Sequence, residues 1–143
     1  MSGAGSWLLA PALAALVASP ACKDGLGSPS GVGVPLGREF TLAVGQSASV
    51  EGAGVRVVLR AVRDDSRCPV DVQCVWEGDA TVALDVTGAS GPAAAYDLHT
   101  SGRFAREATH GPFRITLVRL DPAPHAGSPP PAADYRATLV VVR

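Results

Sequence analysis

Thr81-Val82-Ala83-Leu84-Asp85-Val86 puts Val82, Leu84 and Val86 on one face and Thr81, Ala83 and Asp85 on the other. That two-residue period is the pattern of a half-buried β-strand, in which successive side chains point to opposite sides of a sheet. The period recurs on both sides of this stretch. Upstream, Phe40, Leu42 and Val44 alternate with Thr41 and Ala43, and Val55, Val57 and Leu59 with Arg56 and Arg60. Downstream come Tyr96 and Leu98, then Phe113, Ile115 and Leu117, then Tyr135, Ala137, Leu139 and Val141. Val58 is the apolar intruder in the Val55 to Arg60 run, and Phe113, Ile115 and Leu117 alternate with Arg114, Thr116 and Val118.

Turn signals separate these runs: Glu51-Gly52-Ala53-Gly54, Thr87 to Pro92, Ser101-Gly102 and His110-Gly111-Pro112. The longest break, Asp121 to Asp134, carries five prolines, which offer no backbone donor to a sheet. No sustained helical period follows Cys22. Six or seven short strands in about 105 residues predict an all-β domain over 38–143, an antiparallel sandwich of immunoglobulin-like kind, with a small barrel as the alternative.

The whole chain has 143 residues, one domain's worth. Charged residues make up 17% against the roughly 25% of an ordinary soluble domain, while hydrophobic residues reach 47%, too many for an intrinsically disordered chain. Lys and Arg total 12 against 13 Asp and Glu, a net charge of −1. Without a basic excess to neutralise a phosphate backbone, a nucleic-acid partner is not expected.

Trp7 to Ala18, WLLAPALAALVA, is uncharged and too short to span a bilayer, which needs roughly 20 apolar residues. It suits the apolar core of a secretory signal over 1–21, with small residues at Ser19 and Ala21, although Met1 to Ser6 supplies no Lys or Arg. Cys22 follows directly. Ser19-Pro20-Ala21-Cys22 resembles a bacterial lipoprotein signal, in which the cysteine is acylated and becomes the mature N-terminus; the Leu expected three positions before the cysteine is absent. Lys23 to Gly37 is rich in Gly, Ser and Pro, and 22–37 is expected to be a flexible tether. Export to the cell envelope, with the membrane as partner through Cys22, is the resulting expectation.

Asp64 to Ala80, DDSRCPVDVQCVWEGDA, departs from the strand pattern. In an exported chain Cys68 and Cys74 are most simply a disulfide pair, and an acylated Cys22 accounts for the odd cysteine. Asp65 and Arg67 flank Ser66 as a carboxylate and a guanidinium would to brace a loop. Trp76 is expected to plug the core beside the disulfide, and Gly78 to supply a bulge or a positive-φ position. The competing use of the segment is as a binding epitope, with Asp65, Arg67 and Trp76 as the candidate residues.

Asp65-Ser66-Arg67-Cys68-Pro69 with Cys74-Val75-Trp76 and Gly78 resembles a short signature of small, mostly uncharacterised bacterial exported proteins and lipoproteins. Phe40-Thr41-Leu42, Gly45-Gln46 and the closing strand at Tyr135 fit the same frame, so the resemblance runs from about Glu39 to Arg143 and is specific over Asp65 to Gly78. It implies a small β-domain in the cell envelope and carries no catalytic assignment.

Residues for catalysis are sparse. His99, His110 and His125 show no metal-binding spacing, and each is expected to be exposed. The chain has no Gly-x-Ser-x-Gly elbow. The cysteine spacing is not that of a thioredoxin-like redox motif. Asp64, Asp65, Asp71, Glu77 and Asp79 read as a solvated acidic rim, and Arg56, Arg60 and Arg63 as a solvated sheet face. No catalytic residue, metal or cofactor is assigned. The expected function is a non-catalytic, lipid-anchored binding or accessory module with an envelope protein or polymer as partner. The alternative is a small periplasmic enzyme or metal-handling protein using the acidic loop. A histidine within reach of Ser66 or of two carboxylates would favour that alternative, and three histidines on separate exposed rims would oppose it.

Overall fold

The computed structural model describes residues 31–143 and, of the first thirty, Gly3 alone. The signal segment, Cys22 and most of the expected tether lie outside the described residues. Nine strands are present: β1 (Val32–Pro35), β2 (Glu39–Ala43), β3 (Ser47–Glu51), β4 (Val55–Arg63), β5 (Thr81–Gly88), β6 (Gly91–His99), β7 (Glu107–His110), β8 (Phe113–Asp121) and β9 (Arg136–Val142). They form a sandwich of two sheets, ordered β1-β3-β4-β5-β6 and β2-β9-β8-β7. Every pairing is antiparallel except β1 with β3, which is parallel.

The alternation read in the sequence is the burial pattern of the sheets. Val55, Val57 and Leu59 of β4 and Val82, Leu84 and Val86 of β5 face Ile115 and Leu117 of β8 and Leu139 and Val141 of β9 across one apolar core. Burying one such side chain contributes about 1.5–3 kcal/mol, so this layer holds the two sheets together. A bulge between Leu59 and Ala61 resets the phase of β4, and a second, between Leu117 and Arg119, does the same for β8. Past the second bulge the inward position passes from Leu117 to Leu120.

Three strands depart from expectation. β1 lies inside the stretch expected to be tether: Val34 is buried and Val32 to Pro35 run alongside β3, so the folded domain starts at least six residues before Arg38. β3 and β7 were not expected either. Their inward positions carry Ala48 and Val50, and Ala108 and His110, mostly small or polar side chains that leave a faint apolar signature.

The two ends of the sandwich differ. One holds tight turns at Gly52–Gly54, Gly88–Ser90 and Gly111–Pro112. At the other end lie the 64–80 loop between β4 and β5, the 100–106 loop between β6 and β7, and the proline-rich 122–135 loop, with its 3-10 turn Ala132–Asp134, between β8 and β9.

Candidate functional site

The long loops assemble at one end around the 64–80 segment. Its two legs are tied together by backbone: the Ser66 amide donates to the Asp79 carbonyl at 2.7 Å and the Cys68 amide to the Glu77 carbonyl at 2.8 Å. Gly78 sits between these rungs at φ 71°. A Cβ there would lie 1.9 Å from the Ser66 carbonyl oxygen, so the legs approach this closely only because residue 78 has no side chain. Above the rungs, Cys68 and Cys74 form the expected disulfide, with Cα atoms 5.9 Å apart.

Beneath the loop lies an ionic cluster. Arg67 donates through Nε and Nη2 to the two oxygens of Asp65 at 2.8 and 2.7 Å, and through Nη1 and Nη2 to the carbonyls of Leu120 and Pro122 at 2.7 and 2.8 Å. The Tyr135 hydroxyl donates to Asp65 Oδ2 at 2.8 Å. The Asp65 and Arg67 side chains are only 7% and 12% exposed. Burial pushes the Asp65 carboxyl up, but the hydrogen bonds from Arg67 and Tyr135 and the Arg67 charge outweigh it and hold it below 3.8. Burial and the Asp65 carboxylate raise the Tyr135 hydroxyl above its ordinary value. Asp65 and Arg67 therefore brace the loop and do not line its surface.

A second network binds the outgoing leg to the 100–106 loop. Asp79 Oδ2 meets His99 Nδ1 at 2.6 Å, and Asp79 Oδ1 accepts from the Ser101 amide at 2.9 Å and the Thr100 hydroxyl at 3.3 Å. The Ser101 hydroxyl donates to Glu77 at 2.6 Å. Burial raises the Asp79 carboxyl, and these donors together bring it below its ordinary value. The proline-rich loop docks from the other side: the Val70 amide donates to the Pro124 carbonyl and the Ala126 amide to Asp71 Oδ1. That amide is the main cause holding the Asp71 carboxyl low.

Several expectations are corrected by this geometry. Trp76 does not plug the core: it is 41% exposed, with Arg103 over its ring, and the Asp65–Arg67–Tyr135 cluster lies beneath the loop instead. The acidic residues are not uniformly a solvated rim, since Asp65 and Asp79 point inward to partners. His99 does face away from Leu98, yet it meets Asp79 and the Phe104 ring, not solvent alone. His110 is buried at the far end, held by the Tyr96 hydroxyl at 3.1 Å and the Gly88 carbonyl at 3.1 Å. His125 is exposed as expected. The histidines thus meet neither condition set above: one carboxylate reaches His99, and Ser66 donates to the Asp79 carbonyl instead. Among the described residues no three His, Cys, Asp or Glu side chains converge to hold a metal ion.

The loop end also exposes large apolar side chains. Of the large hydrophobic side chains exposed among the described residues, Val70, Val72, Val75, Trp76 and Phe104 lie here, and only Val32 and Leu36 lie elsewhere. Val75 is fully exposed and Phe104 is 50% exposed. Arg103 sits 5.4 Å over the Trp76 ring, and Phe104 packs 5.1 Å from His99. Sequence reasoning passed over Arg103 and Phe104, although they directly follow the Ser101-Gly102 turn signal. On the outer face of β4–β5–β6, a shallow trough floored by Ala61, Ala83 and Ala95 is walled by the ion pairs Arg60–Asp85 and Arg63–Asp97. These are exposed pairs worth little to stability.

No protein-family model, curated protein or solved structure matches the chain.

Proposed function

We propose that the chain is an exported, lipid-anchored domain of the cell envelope that works as a non-catalytic binding or accessory module, with its recognition surface on the loop end. The observation that carries this reading is the contrast within that end. Asp65 and Asp79 turn inward and the exposed Asp71 and Glu77 are tied to neighbouring loops, while Val72, Val75, Trp76 and Phe104 are turned to solvent. A disulfide, a buried ion pair and two loop-to-loop networks hold those side chains in place, and so much ordering of an apolar surface is what a preorganised binding face requires.

The Cys22 position after an uncharged apolar run, and the signature over Asp65 to Gly78, support the envelope location. The anchor is tested by Cys22→Ala, which should move the protein from the membrane fraction to the soluble one. Identical fractionation of the two chains would remove the anchor from the proposal.

A further inference from the structure

β1 starts level with Ala48 and Val57 and runs away from the loop end: Val32 pairs with Ala48, which pairs with Val57, and Pro35 lies beside Glu51 at the end of the tight turns. β4 runs the opposite way, from Val55 up to Arg63, where the 64–80 loop begins. Gly31, the residue before β1, therefore sits on the side of β1 nearer the loop end. Cys22 is ten peptide steps before Val32, a covalent reach of at most about 33–36 Å. A lipid on Cys22 would hold the bilayer surface within that distance of Val32, close enough for the end where Val75, Trp76 and Phe104 stand exposed to meet it.

The chemistry of this end suits a bilayer surface. Trp and Phe favour the boundary between headgroups and acyl chains, where an amphipathic ring meets both phases. Val72 and Val75 add aliphatic area beside them. Of the local carboxylates, Asp65 and Asp79 point inward to Arg67 and His99, and the exposed Asp71 and Glu77 each accept a hydrogen bond, from the Ala126 amide and the Ser101 hydroxyl. Arg103, stacked on Trp76, makes no ion pair among the described residues, and a guanidinium is suited to a phosphate.

We infer that the loop end lies against the membrane that anchors the chain, with Val75, Trp76 and Phe104 seated at the lipid interface and Arg103 on a headgroup phosphate. This rests on the lipid-anchor reading and deepens it, because the tether turns a weak surface contact into an intramolecular one.

The test uses the anchored chain purified from membranes, which begins at Cys22 on this reading and so carries Trp76 as its sole indole. It is reconstituted into vesicles of mixed phosphatidylethanolamine and phosphatidylglycerol, with or without bromine on the upper acyl chain. Trp76 emission should shift to the blue and lose most of its intensity on the brominated lipid, and Val75→Asp with Phe104→Asp should abolish both effects without changing the circular dichroism. A photo-crosslinker in place of Val75 should give a lipid adduct. Vesicle-bound protein with unquenched Trp76, or an adduct to another protein only, would overturn the docking and leave the anchor standing. Protein that stays in the aqueous phase would take down the anchor reading, and the docking with it.

Discussion

Replacing Arg67 by Met removes the guanidinium but keeps most of its aliphatic volume, so the effect isolates charge and hydrogen bonding. Four donor contacts disappear, two to Asp65 and two to the carbonyls of Leu120 and Pro122. The Asp65 carboxylate, 7% exposed, is then left with the Tyr135 hydroxyl as its side-chain donor. Breaking a buried pair by removing one partner costs about 3–5 kcal/mol, because the remaining charge stays desolvated. Urea unfolding at neutral pH, compared with the wild-type chain, measures this directly. The double change Arg67→Met with Asp65→Asn should cost less than Arg67→Met alone, since no orphan charge remains. A loss below about 1 kcal/mol for Arg67→Met, the range of a solvent-exposed pair, would refute the claim that this cluster is the foundation of the loop.

Three further outcomes follow from the same geometry. Cys68→Ser should lower stability by about 2 kcal/mol from loop closure alone, and an unchanged melting temperature would show that the disulfide contributes nothing to the fold. Gly78→Ala should cost at least about 1–2 kcal/mol from the positive φ, plus the displacement of the Ser66 leg; wild-type stability would mean the legs are not held as described. Asp65 and Asp79 are both held below 3.8 in the folded chain, so their contribution is complete above the ordinary carboxylate value and is lost as pH falls through the lowered one. A melting-temperature profile should therefore drop steeply below pH of about 4, more shallowly in Asp65→Asn, and a flat acid limb would contradict the assignment.

The fold was legible where burial demanded large side chains at every second position. β4, β5, β8 and β9 are central strands covered on their inner face, and their Val, Leu and Ile recur in phase. β1, β3 and β7 escaped notice because β1 and β7 are short edge strands and β3 has only Ala48 and Val50 at its inward positions. Their places are set by neighbours, and no single-strand pattern encodes that. The site was half legible. Cys68, Cys74, Gly78 and the Asp65–Arg67 brace follow from residue type and spacing, since each acts within its own loop. The exposure of Trp76 did not, because what lies beneath its loop includes Tyr135, which reaches Asp65 from seventy positions away in sequence. His99 was placed on the correct side of β6, but its partner Asp79 is brought to it only by the β5–β6 register, which sets Thr81 opposite His99.

The central claim is an anchored module stiffened by one disulfide, and intact mass of the protein isolated from its native membranes, before and after reduction and alkylation, tests it most directly. The account predicts a chain that starts at Cys22 and carries acyl mass, with two thiols, those of Cys68 and Cys74, appearing only on reduction. An unprocessed chain with three alkylatable thiols before reduction would contradict it.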